Sequence, residues 1–309
     1  MTSLRSVVAI ILSLALSSTA IAVPVFAVTE SGYLIGFDSS EPNFAFDIGL
    51  INGLGDDETL IGIDFRPSNG LLYGATDGNN LYTLDTDTAD AMLVGTLAPE
   101  FSGSRFGFDF NPVPDRLRIT GDADQNLRCN PNNGFPACTV DGSLFYAPGD
   151  VNAGRNPNIV GSAYTNNVAG AATTSLYGID STRNTLVLQS PPNDGQLTTV
   201  GSLGVNTTDL VGFDILTVAG VNTAYASLTQ NGSFLSRFYT IDLATGVASP
   251  VGGDEFTSLI GTSDQVRALA VATTTVVPLP ATIGLLGTAL AGLARVGRRQ
   301  RRRTAARLA

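Results

Sequence analysis

The sequence predicts an all-β fold built from five similar four-stranded units, and three observations predict it. Gly is abundant, at 34 residues, while charged residues make up only 14 % of the 309. Short apolar runs of strand length alternate with turns rich in Gly, Asn, Asp and Pro. The chain also repeats itself, and the 45 residues from Gly62 to Gly107 match the length of one blade of a β-propeller.

The first element of the repeat is Gly62-Ile63-Asp64-Phe65, Gly107-Phe108-Asp109-Phe110 and Gly212-Phe213-Asp214-Ile215. Next come strand-like runs such as Gly70 to Ala75, Arg116 to Ile119 and Thr223 to Ala226. An aromatic-rich element ending in Asp follows, at Leu81–Asp85, Leu176–Asp180 and Phe238–Asp242, with a further copy at Leu34–Asp38. The last element closes on Val-Gly or Ile-Gly, at Gly49, Gly95, Gly201 and Gly252. Units begin near Gly62, Gly107, Gly161 and Gly212, and a fifth opens at Val266 to Val271 and stops. Its missing strands are available between Val28 and Ile51. The expectation is a five-bladed β-propeller whose last blade joins both ends of the chain, leaving no open sheet edge. A β-sandwich is the competing fold, and the unit length argues against it.

Both ends read as addresses. Residues 1–27 carry one charge, Arg5, an apolar run from Val7 to Leu16, and small residues at Ala20-Ile21-Ala22 and at Ala27. That pattern predicts a helical signal peptide cleaved after Ala22 or Ala27, with the propeller occupying 28–275. At the other end, Val277-Pro278-Leu279-Pro280 precedes an apolar stretch from Ala281 to Ala294 and an Arg cluster from Arg298 to Arg303. A helix of roughly 15 residues covers only ~22 Å of a ~30 Å hydrocarbon core, which makes a marginal membrane stop with its Arg side cytoplasmic. Residues 304–309 read as a disordered tail.

This order of Pro motif, short transmembrane helix and Arg-rich end resembles the PEP-CTERM sorting signal of Gram-negative bacteria, over residues 276–303. Leu279 stands where the eponymous Glu would be. The resemblance implies a membrane transpeptidase of the exosortase type as processing partner. It also implies transient membrane anchoring followed by a cell-surface or extracellular location, near matrix polysaccharide.

Composition narrows the chemistry. There is no His, so no Ser-His-Asp triad and no His-ligated zinc can be assembled from this chain. All 27 acidic residues lie between Glu30 and Asp264, and with both ends of the chain removed only nine Arg, Arg66 to Arg267, accompany them, a balance that repels nucleic acid. Cys129 and Cys138 are the only cysteines, and in an exported chain they predict a disulfide.

Several constellations are candidates for chemistry. Asp85, Asp87 and Asp90 lie in a loop with the acidic spacing of a calcium site, though without the Gly and Glu of an EF-hand. Asp64, Asp109 and Asp214 recur in the first strand, which lines the central channel in propellers, where carboxylates either bond backbone N–H groups, ligate a cation or act as a general acid and base. Blade two is the polar exception, with Arg116 and Arg118 in place of Tyr73 or Tyr225, and Asn126 and Arg128 close behind. With Tyr164, Asn166 and Asn167 these form either a ligand surface for sugar hydroxyls or carboxylates, or a salt-bridged interface of Arg116 or Arg118 with Asp109 or Asp115.

The segments Gly107 to Pro112, Asp115 to Arg118, Ala163 to Asn167 and Pro191 to Gly195 resemble a secreted bacterial family, domain of unknown function 4394. The resemblance covers roughly residues 30–272 and implies no reaction. The expected function is an exported, non-enzymatic propeller that binds matrix polysaccharide or surface proteins, needing no cofactor unless calcium at the acidic loop. A carboxylate-based glycoside hydrolase and a purely structural surface protein are the alternatives.

Overall fold

The computed structural model describes residues 22–132 and 137–272. Five sheets are arranged as the blades of a propeller. Blade 5 opens the chain with β1 (Pro24–Thr29), β2 (Tyr33–Asp38) and β3 (Phe46–Leu50). Blade 1 holds β4 (Leu60–Phe65), β5 (Leu72–Thr76), β6 (Asn80–Leu84) and β7 (Ala91–Thr96). Blade 2 holds β8 (Phe106–Asn111), β9 (Arg116–Gly121), β10 (Asn126–Asn130) and β11 (Ala137–Val140). Blade 3 has five strands: β12 (Phe145–Tyr146), β13 (Ile159–Tyr164), β14 (Leu176–Asp180), β15 (Thr185–Gln189) and β16 (Gln196–Ser202), with β12 parallel to β16 at the outer edge. Blade 4 holds β17 (Thr207–Val218), β18 (Val221–Gln230), β19 (Arg237–Ile241) and β20 (Ala248–Pro250).

The ring closes as the repeat requires. The last strand, β21 (Val266–Val271), is the innermost strand of blade 5 and runs antiparallel to β1, with Val25 opposite Val271 and Ala27 opposite Leu269. The inner strands are buried on both faces because each blade is sandwiched between two neighbours, which is why they read as continuous apolar runs. The outer strands β3 and β7 face solvent and mix polar with apolar residues.

Apolar clusters cement four of the five blade boundaries. Phe26 and Leu34 meet Ile63 and Leu72 between blades 5 and 1. Tyr73 and Leu81 meet Phe108 and Leu117 between blades 1 and 2. Val160 and Ile179 meet Phe213 and Ile215 between blades 3 and 4, and Tyr225 and Phe238 meet Ile35 and Phe37 between blades 4 and 5. The cluster of Leu144, Tyr146, Ile159, Val187 and Leu197 draws on blade 3 and the segment before it, with no strand residue of blade 2.

Three expectations are corrected. The propeller begins before residue 28, since β1 starts at Pro24, inside the segment read as leader. Leu176–Asp180 is the second strand of its blade, not the third: it corresponds to Leu72–Thr76, and Asp38, Asp85 and Asp242 are the Asp residues that follow or end third strands. Second and third strands are both interior, so both favour the same apolar and aromatic residues and the pattern alone does not separate them. Blade 3 also carries the extra strand β12. The expected signal and transmembrane helices and the tail fall outside the described residues. Among those described, the helical elements are two short 3-10 turns, Pro42–Phe44 and Pro192–Asp194, and no helix is long and apolar enough to cross a membrane.

Candidate functional site

The repeated Gly-x-Asp element is axial architecture. A Cβ on Gly107 would lie 2.5 Å from the backbone nitrogen of Ser162, and one on Gly212 2.6 Å from that of Leu269. Only Gly lets neighbouring inner strands approach this closely. Two residues further along stand the Asp carboxylates, and they satisfy backbone N–H groups that the adjacent inner strands turn toward the axis without a strand partner. Asp64 accepts from Phe110 at 2.8 Å, Asp109 from Tyr164 at 3.2 Å and Asp214 from Val271 at 2.6 Å. Blades 3 and 5 carry Ala163 and Ala270 at this level, and the N–H groups they leave unserved, Ile215 and Phe65, are taken by Asp214 and Asp64 respectively.

Asp64, Asp109 and Asp214 are each at most 3 % exposed, and one oxygen of each lies within 4.8 Å of the others. Among the described residues this is the acidic group whose ligand atoms converge. Burial, then the neighbouring carboxylates, pushes Asp64 and Asp109 well above the usual carboxylate range, and burial lifts Asp214 to about 6. Above them, at the glycine level, the channel narrows to a cavity of ~10 Å³.

The polar residues singled out in blade 2 converge, but on one another. Arg118, 1 % exposed, donates to Tyr164 Oη at 3.2 Å and, at 2.7 Å each, to Asn126 Oδ1, Asp141 Oδ2 and Asn193 Oδ1. Asn126 donates to the carbonyls of Gly142 and Pro192, and Arg128 grips Asp141 with two further bonds. Burial opposes the charge on Asp141, yet the bonds from Arg128 and Arg118 hold it below its usual range. The result is a salt-bridged boundary between blades 2 and 3. Its acid is Asp141 and not Asp109 or Asp115; Asp115 is taken by Arg66. Arg116 stands apart, donating to the carbonyls of Pro114 and Asp115. Asn166 and Asn167 join the next boundary instead, bonding Asn222 and Thr217 of blade 4.

At the acidic loop, Asp85 Oδ1 accepts the N–H groups of Asp87 and Thr88, while Asp90 accepts the Thr88 hydroxyl. Asp242 makes the same turn with Ala244 and Thr245, lacking the extra carboxylates. This is a hairpin device. The expected disulfide is present: Cys129 and Cys138 face each other across β10 and β11.

A cavity of about 300 Å³ opens at the channel mouth, on the face where the inner strands begin. Arg105, Arg267, Asp77, Asp209, Thr59 and Ser104 contribute polar groups, over an apolar floor that includes Phe106, Val160 and Val211. Glu30 accepts from Arg267 at 2.7 Å and from Arg105 at 3.0 Å; burial opposes its charge, but these bonds keep it below its ordinary value. Arg105 retains guanidinium nitrogens beyond this bond, with its side chain 28 % exposed. Sequence reasoning missed both arginines, although the repeat marks them: each lies just before the Gly107 or Ala268 level of its inner strand. A second cavity, about 660 Å³ and mostly apolar, lies at the opposite face between blades 4 and 5, bordered by Val23, Leu216, Val218 and Val251.

The family model described as "Domain of unknown function (DUF4394)" matches residues 33–270, and that of the PEP-CTERM protein-sorting motif matches 276–302. None of the curated proteins matches the chain. Among solved structures, similarity is found to the Kuenenia stuttgartiensis hydrazine synthase, at 15 % identity and a TM-score of 0.39, covering 64 % of this chain and 49 % of that one. The present chain thus spans about half the length of that protein. A nidogen/laminin complex chain matches at 11 % identity and TM-score 0.41, covering 82 % and 99 % of the two chains. The Myxococcus xanthus glutaminyl cyclase matches at 14 % identity and TM-score 0.33, covering 72 % and 78 %.

Proposed function

The chain belongs to the DUF4394 family, and from that premise we propose that it is an exported, non-enzymatic propeller that binds matrix polysaccharide at its channel mouth. The sorting motif at 276–302 supports export, transient membrane anchoring and processing by an exosortase-type enzyme, leaving the propeller at the cell surface or outside it. The observation that carries the binding reading is the polar cavity between Arg105, Arg267, Asp77 and Asp209. Its volume of about 300 Å³ accommodates one or two sugar rings. Its mixture of cationic donors, anionic acceptors and hydroxyls over an apolar floor suits polyhydroxylated ligands. A purely structural protein has no need of such a cleft.

The blade 2 arginines support the reading less than their sequence suggests, because Arg118 and Asn126 have spent their donors inside the fold. The glycoside hydrolase alternative draws on Asp64, Asp109 and Asp214. Acid and base need roughly 5–5.5 Å or 6.5–9.5 Å between them with a sugar alongside, whereas these carboxylates lie below a ~10 Å³ constriction.

The test is a glycan array probed with the purified full chain, with and without calcium, followed by titration of the best ligand against Arg105→Ala. Binding that weakens by about tenfold or more, with an unchanged melting temperature, is the expected result. No glycan bound, or equal affinity in the variant, overturns the assignment. A calcium requirement would direct attention to Asp85, Asp87 and Asp90.

A further inference from the structure

We infer that the export leader is cut between Ala22 and Val23, because the five residues between this bond and the alternative after Ala27 build the closing blade. The inference rests on the leader reading of the N-terminal segment. Both sites present small residues suited to a signal peptidase, so sequence alone leaves them equivalent.

The structure separates them. β1 is paired on both sides: Pro24 to Val28 lie opposite Asp38 to Leu34 of β2, and Val25 to Thr29 opposite Val271 to Val266 of β21. Val23, Val25, Ala27 and Val28 are each 1 % exposed or less. A chain starting at Val28 would keep only the last two residues of β1. The edges of β2 and β21 would open, and the strand that joins the two ends of the chain would be gone. Val25 and Ala27 would also leave the apolar cluster shared with Phe238 and Leu269.

A cut after Ala22 removes nothing that the fold uses. Ala22 is exposed, whereas Val23 is the first residue held: its nitrogen donates to Ser39 Oγ at 3.0 Å and its carbonyl accepts from the Ser39 nitrogen at 2.9 Å. The α-ammonium created at Val23 keeps that hydroxyl as an acceptor.

The experiment is to export the full chain from a bacterial host and read the first residue of the folded product by N-terminal sequencing and intact mass. Val23 is the expected first residue; Val28 overturns the inference. A second chain carrying Ala22→Arg, at an exposed position that leaves the propeller intact, is expected to lose processing by about tenfold or more and accumulate as precursor. Normal processing of that variant, with Val28 as its new first residue, also overturns it. A wild-type chain that stays uncut from Met1 fails the leader reading itself, a result distinct from cutting at the other bond.

Discussion

The Asp64 carboxylate in blade 1 accepts the backbone N–H of Phe110 in blade 2 at 2.8 Å. The same stitch recurs from Asp109 to Tyr164 and from Asp214 to Val271. Hydrogen bonding thus holds the axis together where side chains are too large to fit. Its cost is three carboxylates gathered in a space that water barely reaches.

That cost depends on pH. Acids raised in the folded state bind protons that the unfolded chain has already lost, so their contribution to stability falls as pH rises from about 4 through the raised values. Asp109 accepts one backbone N–H, and Asn at this position retains that acceptor without the charge. Asp109→Asn is expected to melt about 2–4 °C above the wild type at pH 8 for each kcal/mol relieved, with no gain at pH 4. Thermal unfolding at both pH values checks it, and a variant less stable at pH 8 would contradict it.

Arg118 and Arg116 are two residues apart and should behave oppositely. Truncating Arg118 strands Asp141, Asn126 and Asn193 in a buried boundary, and Arg118→Ala is expected to cost about 3–5 kcal/mol. Arg116 donates only to nearby carbonyls, and Arg116→Ala should fall within about 0.5 kcal/mol of wild type. Denaturant titration of both variants measures the contrast; similar losses would mean that the boundary does not depend on Arg118.

Gly107→Ala places a methyl group against the backbone of Ser162. Backbone cannot yield as a flexible side chain does, and the expected loss is about 1–3 kcal/mol or more. An unchanged melting temperature would show that the inner strands can separate without penalty.

Reduction of the Cys129–Cys138 bond, or paired substitution by Ser, is expected to lower stability by roughly 2–3 kcal/mol from loop entropy. The bond ties β10 to β11 at the rim of blade 2, far along the sheet from β8 at the axis. Glycan affinity should therefore stay unchanged, as a binding titration in reductant would show.

Legibility followed the physics of repetition. Gly62, Gly107 and Gly212 recur because one steric demand recurs, so their spacing revealed the blade and, with the lone copy at Leu34, the closure. Strand identity was less legible: Leu176–Asp180 and Leu81–Asp85 share a pattern because both occupy the middle of a blade. The polar boundary could be suspected from Arg118 standing at the Tyr73 and Tyr225 position. Its acid could not be named, because Asp141 lies beyond the hairpin of β10 and β11. The channel mouth was hidden for a related reason. Arg105 and Arg267 are 162 positions apart in sequence, and only their place before the same strand level brings them to one opening.

The pairing of β1 with β21 also has a mechanical side. Under tension directed along β21, the hydrogen bonds between Val25–Thr29 and Val266–Val271 share the load in shear. A tethered propeller of this construction would resist being torn from its attachment far better than one whose terminal strand peeled away bond by bond.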